Sequence, residues 1–143
     1  MDGVLVDFKS GIDKLDENTK IKYKDDLDEV PGIFSLMDPF PNAIESIHKL
    51  SKKYDLYILS TAPWLNPSAW KDKVDWIHNY FGKEKDSILF KRLILSHNKN
   101  LNKGDYLIDD RDANGAIDFT GELIQFGPGK KFPDWESVTN YLL

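Results

Sequence analysis

The chain contains no cysteine. That excludes disulfides and thiolate metal centres, and it fits a reducing compartment. No apolar run approaches the roughly 18 residues that a membrane-spanning helix needs, and no leader pattern opens the chain. The expectation is a soluble, cytoplasmic protein with no membrane partner. Positive charge is also short: 19 Lys and Arg stand against 24 Asp and Glu, for a net charge of −5. No strong basic field is available to meet a nucleic-acid polymer, whereas a small phosphate ester needs only a few local cations or a metal ion. Neither an internal repeat nor a linker rich in Gly, Ser or Pro divides the 143 residues. One domain, 1–143, is the simplest organisation. What is present is apolar material, 41% hydrophobic and 13% aromatic, enough for a packed core rather than a disordered chain.

That apolar material alternates between helical and strand patterns. Residues 41–53 predict a helix, with Pro41 in its first turn and Ala43, Ile44, Ile47 and Leu50 forming one stripe. Residues 56–59 follow as a short buried strand ending at Ser60-Thr61. Asn66-Pro67 predicts a cap and first-turn proline for a helix striped by Trp70, Val74, Ile77 and Phe81, with Gly82 as its stop. Strands are expected at 92–95, 106–108 and 123–126, and a last helix from about Asp134 carries Trp135, Val138 and Leu142. Helices between short apolar strands imply crossover connections, hence an α/β fold of three layers around a parallel, Rossmann-like sheet.

Residues 9–36 depart from this alternation. They are strongly charged, with sparse apolar residues and a Pro31-Gly32 break. The reading is a small helical cap inserted after the first loop, with two open roles: a solvated surface element, or a lid over the site.

In open α/β sheets, ligands bind at the carboxyl ends of the strands. Polar residues collect there in this chain: Asp2 in the opening loop, Ser60 and Thr61 after one strand, Ser96-His97-Asn98-Lys99 after another, and Asp109-Asp110 after a third. The set supplies carboxylates for a hard cation, hydroxyls for phosphate oxygens and a lysine for developing charge. Mg²⁺ needs only one or two protein carboxylates beside water and substrate oxygens. Each piece is common in loops and caps; their shared edge makes the set specific.

Met1-Asp2-Gly3-Val4-Leu5-Val6-Asp7-Phe8 resembles the first motif of the haloacid dehalogenase superfamily, Asp-x-Asp-Gly-Val-Leu, without its first Asp. Ser60 is similar to the second-motif residue, Lys99 to the third-motif Lys, and Asp109-Asp110 to the acidic fourth motif. Within the superfamily the chain resembles the 5′(3′)-deoxyribonucleotidases (cytosolic type C 5′-nucleotidases), in particular small bacterial members. Asp38-Pro39-Phe40-Pro41-Asn42-Ala43, Lys73-Val74-Asp75-Trp76-Ile77 and Asp105-Tyr106-Leu107-Ile108-Asp109-Asp110-Arg111 carry this likeness.

The resemblance implies a Mg²⁺-dependent phosphatase acting on (deoxy)nucleoside monophosphates through an aspartyl-phosphate. It makes Asp2 the general acid/base and, through its backbone carbonyl, a metal ligand. Asp110 is the first choice for the acidic metal ligand, with Asp109 in support. Ser60 and Lys99 would hold the transferring phosphoryl group, with Thr61 and the Gly3 backbone as further substrate contacts. Lys73 competes with Lys99 for the phosphate, and Lys99 is preferred. Phe8, Phe34 and Trp64 match the family's base pocket, although Phe34 also reads as a core contact of the cap. His97 reads as an ordinary loop histidine, and His48 and His78 as surface residues.

The resemblance also implies a central strand before the first motif, ending in the nucleophilic Asp. Without it, two strand spacings, roughly 10 Å, would separate its neighbours, and each unpaired buried backbone group would cost about 1–3 kcal/mol. The expectation is that Met1 is internal to a longer protein, or that something else fills the slot, and that the 143 residues alone are inactive. Two alternatives remain: a non-catalytic module binding metal and a phosphate ligand, or a phosphatase for another small phosphate ester. Base preference and oligomeric state are not legible in the residues.

Overall fold

A computed structural model describes residues 1–143. The opening residues form a tight loop rather than a strand. The Met1 carbonyl accepts from the backbone N–H of Val4, Leu5 and Val6 at 3.3, 2.8 and 3.1 Å, and Gly3 closes the turn at φ +69°. β1 (Val6–Asp7) then pairs antiparallel with β2 (Asp38–Pro39), and Phe40 donates to the Leu5 carbonyl at 2.8 Å. Residues 8–37 therefore leave and rejoin the domain at one point.

Within this insert, α1 (Phe8–Asp13) and α2 (Glu17–Lys22) are each started by an aspartate, Asp7 and Asp16, accepting from the first turn. Tight turns at 27–29 and 33–36 complete it. Ile33 and Phe34 are buried, and Trp76 Nε1 donates to the Met37 carbonyl at 3.0 Å. The insert is thereby fastened to the long helix that carries Trp76.

Past the insert, α3 (Ala43–Leu50) is shorter than the 41–53 stripe predicts, because Asn42 takes a left-handed φ of 62° and the helix begins after it. β3 (Ile58–Ser60) lies about two residues later than expected, carrying Ser60 within the strand. α4 (Pro67–Phe81) has the expected ends, with Gly82 closing it at φ +85°, but its buried face runs through Ala69, Lys73, Trp76, Ile77 and Phe81, leaving Trp70 and Val74 only partly buried. Asn66, however, makes no cap bond. Its side-chain amide donates to the Asp28 and Val30 carbonyls at 2.8 and 3.1 Å, so it ties α4 to the insert. β4 (Leu93–Leu95), β5 (Tyr106–Asp109) and β6 (Glu122–Gln125) follow. α5 (Trp135–Leu142) opens with a reciprocal Asp134–Ser137 capping box.

The expected α/β character holds, but the strands do not form one sheet. β3 pairs with β4 in parallel and β5 with β6 in parallel, while β1–β2 stand as an antiparallel pair. No backbone hydrogen bond joins β3 to β5, because an apolar groove separates them. One core nonetheless runs through the molecule, from Val4 and Val6 through Ile33, Ile47, Ala69 and Trp76 to Ile124, Trp135 and Val138. Trp135 Nε1 donates to the Val4 carbonyl at 2.8 Å, so the last helix grips the opening loop. No helix is long and apolar enough to cross a membrane.

Candidate active site

The C-terminal ends of β3 and β5 and the opening loop bring together the carboxylates and lysines noted in the sequence. Lys73 arises from the middle of α4 and is fully buried. Its Nζ donates to Asp2 Oδ2 at 2.5 Å and lies 4.3 Å from the centre of the Phe34 ring. Burial pushes the Lys73 pKa down, and the Asp2 carboxylate opposes that shift. The other Asp2 oxygen, Oδ1, is buried without a partner. Lys99, at the start of a tight turn after β4, donates to Asp109 Oδ2, and both side chains are buried. Asp109 Oδ1 also accepts from the Arg111 backbone at 3.2 Å.

Asp110 lies against Gly3. An added Cβ on Gly3 would fall 2.2 Å from Asp110 Oδ2, so only glycine lets loop and carboxylate approach this closely. Burial, and secondarily the neighbouring Asp109 charge, push the Asp110 carboxyl above the usual range. The Met1 amine is buried among Asp2, Lys73, Lys99 and Asp109, and burial lowers it to about 6.

Asp2, Gly3, Asp109, Asp110, Lys73 and Lys99 are thus brought into one place. Ser60 is buried at the end of β3. Thr61 is committed elsewhere, since its hydroxyl donates to the Ser96 carbonyl at 2.8 Å and links the ends of β3 and β4. Phe34 is a packed side chain touching Lys73 and Phe8, whose ring centroids lie 5.9 Å apart. Trp64 stands out in solvent, 77% exposed, with its ring 6.0 Å from that of His97. His97 also meets Trp70, which makes it more than a bare loop residue.

The two lysines hold different carboxylates, a division the sequence did not show. Lys73 bonds the opening-loop carboxylate directly, while Lys99 is spent on Asp109. Only the place of Lys73 on the buried stripe of α4 hinted at this: a lysine there needs an anionic partner. Nothing in the spacing signalled its contact with Phe34.

No three carboxylate or imidazole side chains converge as a ready-made metal cluster, so a hard divalent cation here would rest on one or two carboxylates. Asp2 Oδ1 lacks a partner, and Asp110 is held half-buried beside the Asp109 carboxylate, both of which a cation would relieve.

Fold and site together define an α/β domain whose strand-end centre combines three carboxylates with two lysines. The profile of the family described as 5′ nucleotidase, deoxy (Pyrimidine), cytosolic type C protein matches residues 12–132. That is a family of hydrolases, and the chain belongs to it. A Vibrio phage KVP40 protein named "Putative 5′(3′)-deoxyribonucleotidase" is 55% identical over 142 residues, covering 99% of this chain and 81% of its own length. A Staphylococcus aureus (strain Mu50) protein of the same name is 32% identical over 121 residues, 79% of this chain and 64% of its own. An Acanthamoeba polyphaga mimivirus relative is 27% identical over 168 residues, 98% of this chain and 70% of its own. The chain therefore spans about four fifths of the phage relative and just under two thirds of the staphylococcal one.

Proposed function

We propose that these residues form most of the centre of a Mg²⁺-dependent phosphatase for (deoxy)nucleoside monophosphates. The observation that carries the reading is the pair of buried lysine–carboxylate contacts, Lys73 on Asp2 and Lys99 on Asp109, in a chain of nucleotidase kinship.

In this reading the attacking carboxylate belongs to a residue joined to the Met1 nitrogen. It forms an oxygen–phosphorus bond as the phosphate ester bond breaks, giving an aspartyl-phosphate. The Asp2 carboxyl gives its proton to the departing nucleoside oxygen. The Asp2 carboxylate then takes a proton from water as that water attacks phosphorus, releasing phosphate and the first carboxylate. Lys73 holds Asp2 in place, and Ser60 and Lys99 are the groups that would hold the transferring phosphoryl oxygens, with Lys73 as the competing lysine. Lys99 orients Asp109, and Asp109 and Asp110 with Asp2 are the residues that would hold Mg²⁺. When bound, the cation supplies charge neutralisation and a template for phosphate oxygens. The insert, fastened to α4 through Asn66 and Trp76 and touching Lys73 through Phe34, shields this side of the site.

The decisive experiment compares the 143-residue chain with a form extended before Met1 by an apolar strand ending in Asp. Both are assayed with Mg²⁺ on a panel of deoxynucleoside 5′- and 3′-monophosphates and other small phosphate esters. Turnover by the extended form alone is expected. Inertness of both across the panel would sink the phosphatase reading, and nucleotide binding without turnover would favour a non-catalytic module. The panel also decides which ester is preferred.

A further inference from the structure

Asp72 and Lys73 are neighbours on α4, so their side chains leave the helix about 100° apart. Lys73 turns to Asp2, whereas Asp72 turns to the insert where residues 35–38 pass. There the insert and α4 enclose a cleft of about 270 Å³. Trp76 forms its buried wall and the exposed Tyr80 its outer edge, with the two rings 4.4 Å apart. Its charged groups are Lys14, Asp38, Asp72 and Asp75.

Three of these four already have partners. Lys14 Nζ donates to the Leu36 carbonyl at 2.7 Å and to both Asp38 oxygens at 2.9 Å. Asp75, half-exposed, accepts from Lys71. Asp72 is left over. Its side chain is only 7% exposed, a single backbone donor at Ser35 favours its charged form, and Oδ2 is buried with no partner. Burial lifts its carboxyl above the usual range. A buried carboxylate left this bare works against the fold. A cation seated in the cleft would remove that penalty.

The cleft also selects the kind of cation. A divalent metal needs several oxygens, and no three carboxylates converge here. A guanidinium fork takes both oxygens of a carboxylate, but one Asp72 oxygen already meets Ser35. An alkylammonium needs one free carboxylate oxygen, apolar cover for its stem and an aromatic face near its charge. Asp72 Oδ2, Trp76 and Tyr80 supply these. Asp75 at the open side suits a second ammonium. The volume, equal to about nine waters of liquid, admits a four-carbon diamine.

We propose that the cleft between α4 and residues 35–38 binds a short alkyl diamine, one ammonium bonding Asp72 Oδ2 and the other facing Asp75, with the chain laid on Trp76 and Tyr80. Bound there, the ligand bridges the insert and α4, the two elements that Asn66 and Trp76 already tie together.

The test is calorimetry on the 143-residue chain at pH 7 with 1,4-diaminobutane, n-butylamine and, as the neutral control, n-butanol. Saturable binding of both amines is expected, the diamine tighter, and none of the alcohol. Asp72→Asn should weaken diamine binding about 30-fold or more. Glu136→Gln, which removes the same charge from α5, should leave it unchanged. Carboxyl-carbon NMR of the parent chain gives a reading that needs no variant: the diamine should move the titration of Asp72 to lower pH, because a neighbouring cation favours the ionised form. The proposal is overturned if neither amine binds saturably, if binding survives Asp72→Asn, or if the Asp72 titration does not move. No readout involves Mg²⁺ or turnover, so failure here and failure of the phosphatase reading are separable.

Discussion

Replacing Gly3 by alanine couples backbone strain to the site in a way that can be measured. Gly3 adopts φ +69°, where an L side chain costs about 1–2 kcal/mol. The new Cβ would also lie 2.2 Å from Asp110 Oδ2 and 2.5 Å from its carboxyl carbon, well inside any real contact. The carboxylate ends a flexible side chain, so it can retreat by about 1 Å, a displacement that can cost a site about 100-fold. Gly129 provides the control, because it has a comparable φ of +76° with nothing within 4 Å of the added Cβ. Gly129→Ala should therefore lose only the strain, a fall in Tm of about 3–6 °C for a domain of this size. Gly3→Ala should lose at least that much and also weaken Mg²⁺ binding about 100-fold by calorimetry, while Gly129→Ala leaves Mg²⁺ binding unchanged. Equal Mg²⁺ affinity in Gly3→Ala and the parent chain would refute the link between this glycine and the placement of Asp110.

Other consequences can be checked by denaturation. Lys99→Met leaves Asp109 buried and uncompensated and should destabilise the chain by about 3–5 kcal/mol in urea, whereas the double change Lys99→Met with Asp109→Leu should recover most of that loss. Trp135→Phe strands the Val4 carbonyl and should cost about 1–3 kcal/mol, with the opening loop exchanging faster by hydrogen exchange. Asp72 is buried on α4 with Oδ2 unpartnered, and burial raises its carboxyl above the usual value of 3.8. The folded state therefore holds that proton more tightly than the unfolded one. The ionised group destabilises the fold above the raised value, and this penalty fades as pH falls through it toward the unfolded value. Asp72→Asn should accordingly raise Tm at pH 7, with the gain vanishing in acid; a gain independent of pH would contradict the assignment.

Much of this was legible residue by residue. Pro67 and Gly82 bound α4 to the residue because terminal residues act locally, whereas of the stripe 70-74-77-81 only Ile77 and Phe81 are fully buried, the packed face having turned toward Ala69, Lys73 and Trp76. Asp134 likewise starts α5 through a capping box closed within four residues. Legibility fails where a side chain answers to something distant in sequence. Asn66 looks like a cap, but its amide finds the Asp28 and Val30 carbonyls, and the insert's demand for donors outweighs the helix's. The strand limits slipped by one or two residues at β3 and β6, since the ends of a strand are set by the partner's ladder rather than by its own pattern.

The sequence by itself determined the α/β alternation, the polar residues at strand ends, and the aspartates and lysines available for chemistry, because these follow from periodicity and residue type. Tertiary structure alone decided which lysine meets which carboxylate, Lys73 with Asp2 and Lys99 with Asp109. It also decided that Phe34 packs on Lys73 while Trp64 faces solvent, and that β3 and β5 stand apart across an apolar groove. The physical reason is the same in each case: ion pairing, burial and strand pairing depend on distances between residues far apart in the chain, and only the folded backbone sets those.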